Sequence, residues 1–249
     1  RCALRTVRLS SDRLPTSVKT LGLLGGMSWE STVPYYQTIN RRVAECLGGL
    51  HSARLLLYSV DFADIEAAQH EDRWDDAAAL LVDGARRLQR GGAELLVLCT
   101  NTMHLLAPQL EAEGGLPLIH IVEPTAAALA SAQIRRVALL GTRFTMEQDF
   151  YRGRLAARHG LDVRVPDADG RAAVHRIIYE ELCLGVVREA SRAQARAIVQ
   201  GLVAEGAEGV ILGCTELAML LGPDDATVPL FDTAVLHAQA AADQALAAR

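Results

Sequence analysis

The sequence is short of aromatic residues, has no long apolar run, carries no surplus of positive charge and sets its cysteines at irregular intervals. Phe, Trp and Tyr make up 4% of the 249 residues, while half the chain is hydrophobic. A core must therefore come from Ala, Leu and Val in short runs, which favours α/β layers over an all-β sandwich. No uninterrupted apolar run approaches the ~20 residues that cross a bilayer. A formal charge of -5 argues against a general nucleic-acid surface, which wants a basic face. The five cysteines are odd in number and do not read as a disulfide framework; they fit a reducing, cytoplasmic compartment better. What the chain does have is length enough for one large or two modest domains.

The opening stretch RCALRTVRLSSDRLPTS, residues 1–17, has neither periodicity nor the apolar core of a secretory signal. It reads as a disordered N-terminal extension, and Cys2 within it is given no role. From Val18 onward, short apolar runs alternate with amphipathic stretches. KTLGLLGG, ARLLLYSVDF, AELLVLCT and LPLIHIVEP read as strands; WESTVPYYQTINRRVAECL and DDAAALLVDGARRLQRGG read as helices, the second stopped by Gly91 and Gly92.

The pattern then restarts. RRVALLGTR matches KTLGLLGGM, and SRAQARAIVQGLVAEGAEGVILGCT matches DDAAALLVDGARRLQRGGAELLVLCT. TVPLFDTAVLHAQAAA matches GLPLIHIVEPTAAALA, and Gly25 precedes Cys99 much as Gly141 precedes Cys214. This is an internal duplication. It predicts two similar α/β domains with doubly wound parallel sheets, related by pseudo-twofold symmetry. Ligands of such sheets sit outside the carboxyl ends of the strands, where both cysteines fall. The site is expected between the halves, with one cysteine on each side.

Two facing thiols suit inversion of a carbon stereocentre. One thiolate removes the Cα proton, the opposite thiol donates one, and a symmetric site treats both enantiomers alike. Each cysteine ends a strand and precedes an expected helix, whose N–H groups would lower the thiol pKa. Thr100, Asn101, Thr102 and Thr215 would hold the substrate carboxylate. The scheme needs no cofactor. A lone strand-end cysteine is more often a small buried hydrophobe, and Cys46 and Cys183 are read that way. Cys99 with His104 lacks a second Cys/His cluster, so no metal is expected. GLLGG lacks the full G-x-G-x-x-G dinucleotide fingerprint. Tyr35 and Tyr36 read as core, and Arg86, Arg87 and Arg90 as a solvated helix face.

Six stretches carry a resemblance: LGLLGGMSWESTVPYYQTIN, GGLHSARLLLYSVDF, VLCTNTMHLL, ALLGTRFTMEQDFYRGRL, EELCLG and VILGCTELAMLL. From about Val18 to Leu246 the chain resembles the aspartate/glutamate racemase family, and most of all its broad-specificity amino-acid racemase branch. The resemblance implies a cofactor-independent two-base racemase of two α/β domains, acting on a small amino acid and commonly a homodimer. It implies that Cys99 and Cys214 are the bases and that Met27, Gln69, Thr100, Asn101, Thr102, Thr215 and Glu216 line the substrate. It also implies discontinuous domains: residues 18–117 with 229–249 forming the first, and 118–228 the second.

One departure stands out. Family members dedicated to aspartate grip the side-chain carboxylate with an arginine and a lysine. Here Gln69 follows DFADIEAA, and DGRAAVHRI offers Ala173 and His175, with Arg171 or Arg176 as the nearest substitutes. A neutral amide there fits uncharged or varied amino acids. The alternatives are a racemase or isomerase of a related acid such as a hydantoin or a maleate, a redox sensor joining Cys99 to Cys214, and a ligand-binding pseudoenzyme.

Overall fold

The computed structural model describes residues 18–247; the expected extension, residues 1–17, lies outside them. Leu21–Gly25 (β1), Leu55–Ser59 (β2), Leu95–Leu98 (β3) and Leu118–Ile119 (β4) form a parallel sheet in the order β2-β1-β3-β4. Arg136–Gly141 (β5), Asp162–Arg164 (β6), Gly209–Gly213 (β7) and Leu230–Asp232 (β8) form a second, in the order β6-β5-β7-β8. The second sheet repeats the order of the first, so the duplication seen in the sequence is one of topology. β1, β3 and β7 are buried along their whole length. Both faces of each sheet are covered, which is why these strands read as continuous apolar runs.

Four helices cover the first sheet's two faces. Trp29–Leu47 (α1) and Thr233–Leu246 (α11) lie on one; Phe62–His70 (α2) and Trp74–Arg90 (α3) lie on the other. Along β3 the side chains alternate between these faces. Leu96 and Leu98 pack with Ile65, Leu81 and Leu88 of α2 and α3, whereas Leu95, Val97 and Cys99 pack with Tyr35, Ile39 and Ala238 of α1 and α11. The α3 helix lies close on the sheet because Gly84 has no Cβ; one placed there would stand 2.8 Å from Leu24 and 2.9 Å from Tyr58.

The second sheet repeats this layering. Val210, Leu212 and Cys214 pack with Ile178 of Ala168–Glu180 (α8) and Val199 of Glu189–Ala204 (α9). On the opposite face Ile211 packs with Leu129 of Val122–Ser131 (α5) and Leu155 of Arg152–His159 (α7). Shorter helices complete the chain: Ala107–Glu113 (α4), Arg143–Glu147 (α6) and Leu217–Leu220 (α10).

The chain crosses between halves twice. β4 pairs with β3 and β8 with β7, so each sheet keeps its last strand, and the crossing follows it. The divisions expected at 117/118 and 228/229 fall just before these strands. Afterwards α5 covers the second sheet and α11 returns to the first. Small residues let α11 approach: Ala234, Ala238, Ala241, Ala242 and Ala245 form one buried stripe against α1. Within it Tyr35 Oη meets His237 Nδ1 at 2.9 Å.

Candidate active site

A cavity of about 20 Å³ opens where the carboxyl ends of β1, β3, β5 and β7 face each other. The first half contributes Met27, Gln69, Thr100, Asn101 and Thr102; the second contributes Thr142, Tyr179, Cys214, Thr215 and Glu216. That volume holds about one water, so the cleft must widen to admit an amino acid.

The sheets do not bring Cys99 and Cys214 together. Leu24 pairs with Leu98 in the first sheet and Leu140 with Leu212 in the second. LGLLG of β1 and VALLG of β5 align on these leucines, which makes Cys99 the counterpart of Gly213 and Thr100 the counterpart of Cys214. The same register matches Asn101 to Thr215 and Thr102 to Glu216. A one-residue step in a strand turns a side chain to the other face. Cys99 is accordingly fully buried on the α1 and α11 side, with Sγ 3.6 Å from Val97 O, and it does not line the cavity. Thr100 does. The signal was present in the sequence: the interval from Gly25 to Cys99 is one residue longer than that from Gly141 to Cys214.

Thr100 is held through its backbone. Its N–H donates to Leu98 O at 2.9 Å, and its carbonyl lies 2.7 Å from His104 Nδ1. Ile121 N–H donates to His104 Nε2 at 3.2 Å, so Nδ1 carries the ring proton and donates it to Thr100. Burial, with His120 and His237 beside it, keeps His104 neutral by pushing its pKa well below the ordinary value. His104 is thus a support for the loop.

The second half is organised around a carboxylate. Cys214 Sγ donates to Glu216 Oε2 at 3.0 Å, and Thr215 Oγ1 donates to the same oxygen at 2.7 Å. Ser28, reaching over from the first half, donates to Oε1 through Oγ at 2.7 Å and through N–H at 3.3 Å. Burial first, and then the Glu216 charge, push the Cys214 thiol well above its ordinary pKa. The expected lowering by a helix N-terminus is not present: Cys214 is followed by the four-residue α10, and Thr100 by a 3₁₀ turn over Thr102–Leu106.

Asn101 bridges the halves from the other side. Its Nδ2 donates to Thr233 Oγ1 at 2.9 Å, and Thr233 in turn donates to Leu212 O at 2.8 Å. Asn101 Oδ1 is buried and has no partner, which leaves an acceptor for a ligand. Thr102 Oγ1 lies 2.9 Å from Thr142 Oγ1. The Gln69 amide is used at both ends: Nε2 donates to Met103 Sδ and Oε1 accepts from Tyr179 Oη, each at 2.8 Å.

Ser28, Thr142 and Tyr179 were not singled out from sequence, and only the duplicated turn after β1 and β5 could have pointed to the first two. Cys183, read as packing, also lines the cavity, whereas Cys46 is exposed. Tyr35 is core, but Tyr36 is exposed. Arg86, Arg87 and Arg90 form the expected solvated face. Arg171 is bound to Glu147, and Arg176 lies near Gln194 and Glu181, so neither lines the cavity. His175 and Arg143 stand just outside it, behind Tyr179 and Gln69. Among the described residues no group of three or more His, Cys, Asp or Glu is placed to hold a metal. No helix there is long and apolar enough to cross a membrane.

Comparison with known proteins matches this architecture and chain order. The family model for Asp/Glu/Hydantoin racemase covers residues 24–241. The broad specificity amino-acid racemase RacX of Bacillus subtilis (strain 168) is 22% identical over 240 residues, covering 91% of this chain and 98% of that one. A structure from Yersinia pestis, assigned to the Asp/Glu racemases, superposes with a TM-score of 0.85 at 55% identity, covering 92% of this chain and 99% of that one. An aspartate racemase homologue from Pyrococcus horikoshii OT3 gives 0.76 at 33% identity, covering 91% and 99%. The chain belongs to the Asp/Glu/hydantoin racemase family.

Proposed function

We propose that this chain is a cofactor-independent amino-acid racemase in which Cys214 and the hydroxyl of Thr100 exchange the Cα proton from opposite sides. The observation that carries this reading is register: the two residues occupy equivalent positions of the duplicated sheets and line one cavity. A thiol can both take and return a proton. An alcohol is a competent donor to a carbanion but a poor acceptor, because its alkoxide is strongly disfavoured at neutral pH. Asn101 Oδ1, buried and unpartnered, accepts from the substrate ammonium, and the hydroxyls of Thr102 and Thr142 face its carboxylate.

The absence of a pyridoxal cofactor from this scheme has support in the sequence. Lys19 is the chain's sole lysine. It precedes β1, at the end of the strand away from the cavity, so no lysine is placed to form a Schiff base there. Broad substrate choice is supported by the neutral wall of Gln69 and Tyr179 and by the RacX relative. The redox-sensor alternative has little support, since Cys99 faces the far side of its sheet. The four cysteines among the described residues are unpaired thiols, which suits a reducing cytoplasm.

A second copy of the chain is the proposed partner. The α1 helix exposes Trp29, Val33 and Tyr36 along one face, at 63%, 47% and 55%. Leu184, Val186 and Val187 are exposed on the loop around Gly185, which abuts Glu30 of α1. Light scattering of the purified protein reads this directly.

The deciding experiment follows Cα–H loss in D₂O by NMR, alongside chiral chromatography, for a panel of L- and D-amino acids. Inversion accompanied by deuterium at Cα is expected for several of them. If no amino acid of either hand exchanges, the reading is wrong.

A further inference from the structure

Glu216 is 2% exposed, and none of the ion pairs found among the described residues includes it. Four donors serve its two oxygens: Ser28 Oγ and N–H on Oε1, and Thr215 Oγ1 and Cys214 Sγ on Oε2. Cys183 Sγ lies 4.0 Å from Oε1. A carboxylate accepts through both oxygens and donates nothing, and this ring of donors is the environment it needs. A buried charge without a counter-ion is costly to maintain, so its position beside one particular thiol calls for a reason.

The thiol itself supplies one. Burial and the neighbouring carboxylate both favour the protonated form of Cys214, yet only a thiolate can remove a Cα proton. With space for about one water in the cavity, bulk solvent is a poor acceptor for the S–H proton. Glu216 Oε2 already accepts that hydrogen bond. The first half offers no equivalent: the position matched to Glu216 by register is Thr102, a hydroxyl bonded to the hydroxyl of Thr142. The carboxylate accompanies the thiol and is absent from the side where the facing group is an alcohol.

We propose that Glu216 is the proton acceptor that converts Cys214 into a base, an inference that rests on Cys214 exchanging the Cα proton. The substrate ammonium brings a positive charge into the cleft and offsets the cost of moving the negative charge onto sulfur. The Cys214 S–H bond breaks and an O–H bond forms on Glu216. The Cα–H bond then breaks, its proton restores S–H, and its electron pair remains on the substrate as the carbanion. Thr100 O–H protonates the opposite face. Opening of the site returns the Glu216 proton to water and resupplies Thr100, so the net proton count is unchanged. Glu216 acts through Cys214 and is a positioning and proton-holding residue.

Glu216→Gln keeps the size and one acceptor oxygen while removing proton affinity. The expected result is a kcat ~10²–10³-fold lower with KM within about threefold. Alkylation of Cys214 by iodoacetamide, read peptide by peptide because Cys46 and Cys183 also react, should become faster once the repelling charge is gone. A more reactive thiol in a slower enzyme is a combination that mere loss of structure does not give. Should the Gln variant fail to fold, Glu216→Asp decides: it withdraws the carboxylate by one methylene and should lower kcat at least tenfold. A rise in KM with kcat preserved would make Glu216 an ammonium ligand and overturn the proposal, as would parental kcat in either variant. If Cys214→Ser racemises at the parental rate, the underlying assignment of the base fails instead.

Discussion

The two halves of the molecule share strand order, layering and register, yet they present different chemistry to the same cavity. One ends its central strand in Cys99-Thr100-Asn101-Thr102, the other in Gly213-Cys214-Thr215-Glu216. Behind the first stand neutral histidines, with His104 holding the carbonyl of Thr100. Behind the second stands a carboxylate held by Ser28 from across the cleft. The difference teaches that equivalence in a duplicated fold is set by which face of the sheet a residue occupies, and that a shared residue type is no guide to it. Symmetry of the backbone is kept while the groups that face the cavity are unequal.

The largest effect should come from the only thiol of the pair that faces the cavity. Cys214→Ser replaces a group able to reach the thiolate with one that stays protonated, and racemisation should fall by at least ~10³-fold, within the range general acid–base groups supply. Steady-state assay of both enantiomers measures it. Retention of more than a tenth of the parental rate would sink the assignment of Cys214.

Thr100 tests the other half of the comparison. Thr100→Ala removes the proposed donor, so inversion should drop roughly 10²-fold. Cys214 still takes a proton from the enantiomer presented to it and returns deuterium to the same face. One enantiomer should therefore exchange its Cα hydrogen in D₂O faster than it inverts. Thr100→Cys should restore inversion and even out exchange between the two enantiomers. If Thr100→Ala slows exchange and inversion equally for both enantiomers, Thr100 is not a one-sided donor.

The histidines behind Thr100 predict a pH effect on stability. Burial lowers His237 from 6.5 to about 4 and His120 from 6.5 to about 3. Both are neutral in the fold, whereas the unfolded chain binds protons below about 6.5. Stability is therefore full above that pH and declines as pH falls toward 4, levelling off below the folded-state values. The shift of His237 alone corresponds to a loss on the order of 3 kcal/mol. Urea melts between pH 7 and 4 measure the slope, and replacing His237 with Asn should flatten it. A flat profile in the parent would show that these rings are not buried neutral.

Much of the fold was legible because periodicity and glycine stops act locally. The WESTVPYYQTINRRVAECL helix and the repeated glycine–strand–cysteine landmarks follow from such patterns. β4 was read too long: LPLIHIVEP yields only Leu118–Ile119 before α5 begins at Val122, since an apolar run does not by itself distinguish a buried strand from a buried helix. The cavity lies between the halves, as the repeat predicts, but the register of the sheets puts Thr100 rather than Cys99 in its lining. Matching cysteine to cysteine followed residue identity, while side-chain direction follows the pairing of Leu98 and Leu212 with their neighbours. Contacts across the cleft, such as Ser28 to Glu216 and Tyr179 to Gln69, join positions far apart in the chain and leave no local pattern.

The smallest expected effect is the most informative about that register. Cys99 packs with Leu23, Tyr35 and Val97 on the face away from the cavity, and burial pushes its thiol far above the ordinary range. Cys99→Ala should leave a small gap in the core and cost about 1 kcal/mol of stability, typical of a modest core change. Its kcat and KM should stay within about twofold of the parent, because the Thr100 hydroxyl and the bond from His104 to the Thr100 carbonyl survive. A paired measurement of thermal unfolding and racemisation separates the two quantities. Should Cys99→Ala abolish racemisation while folding normally, the thiol reaches the substrate after all. The cavity would then have to open by turning the end of β3 over, and Cys99 and Cys214 would again be the facing pair.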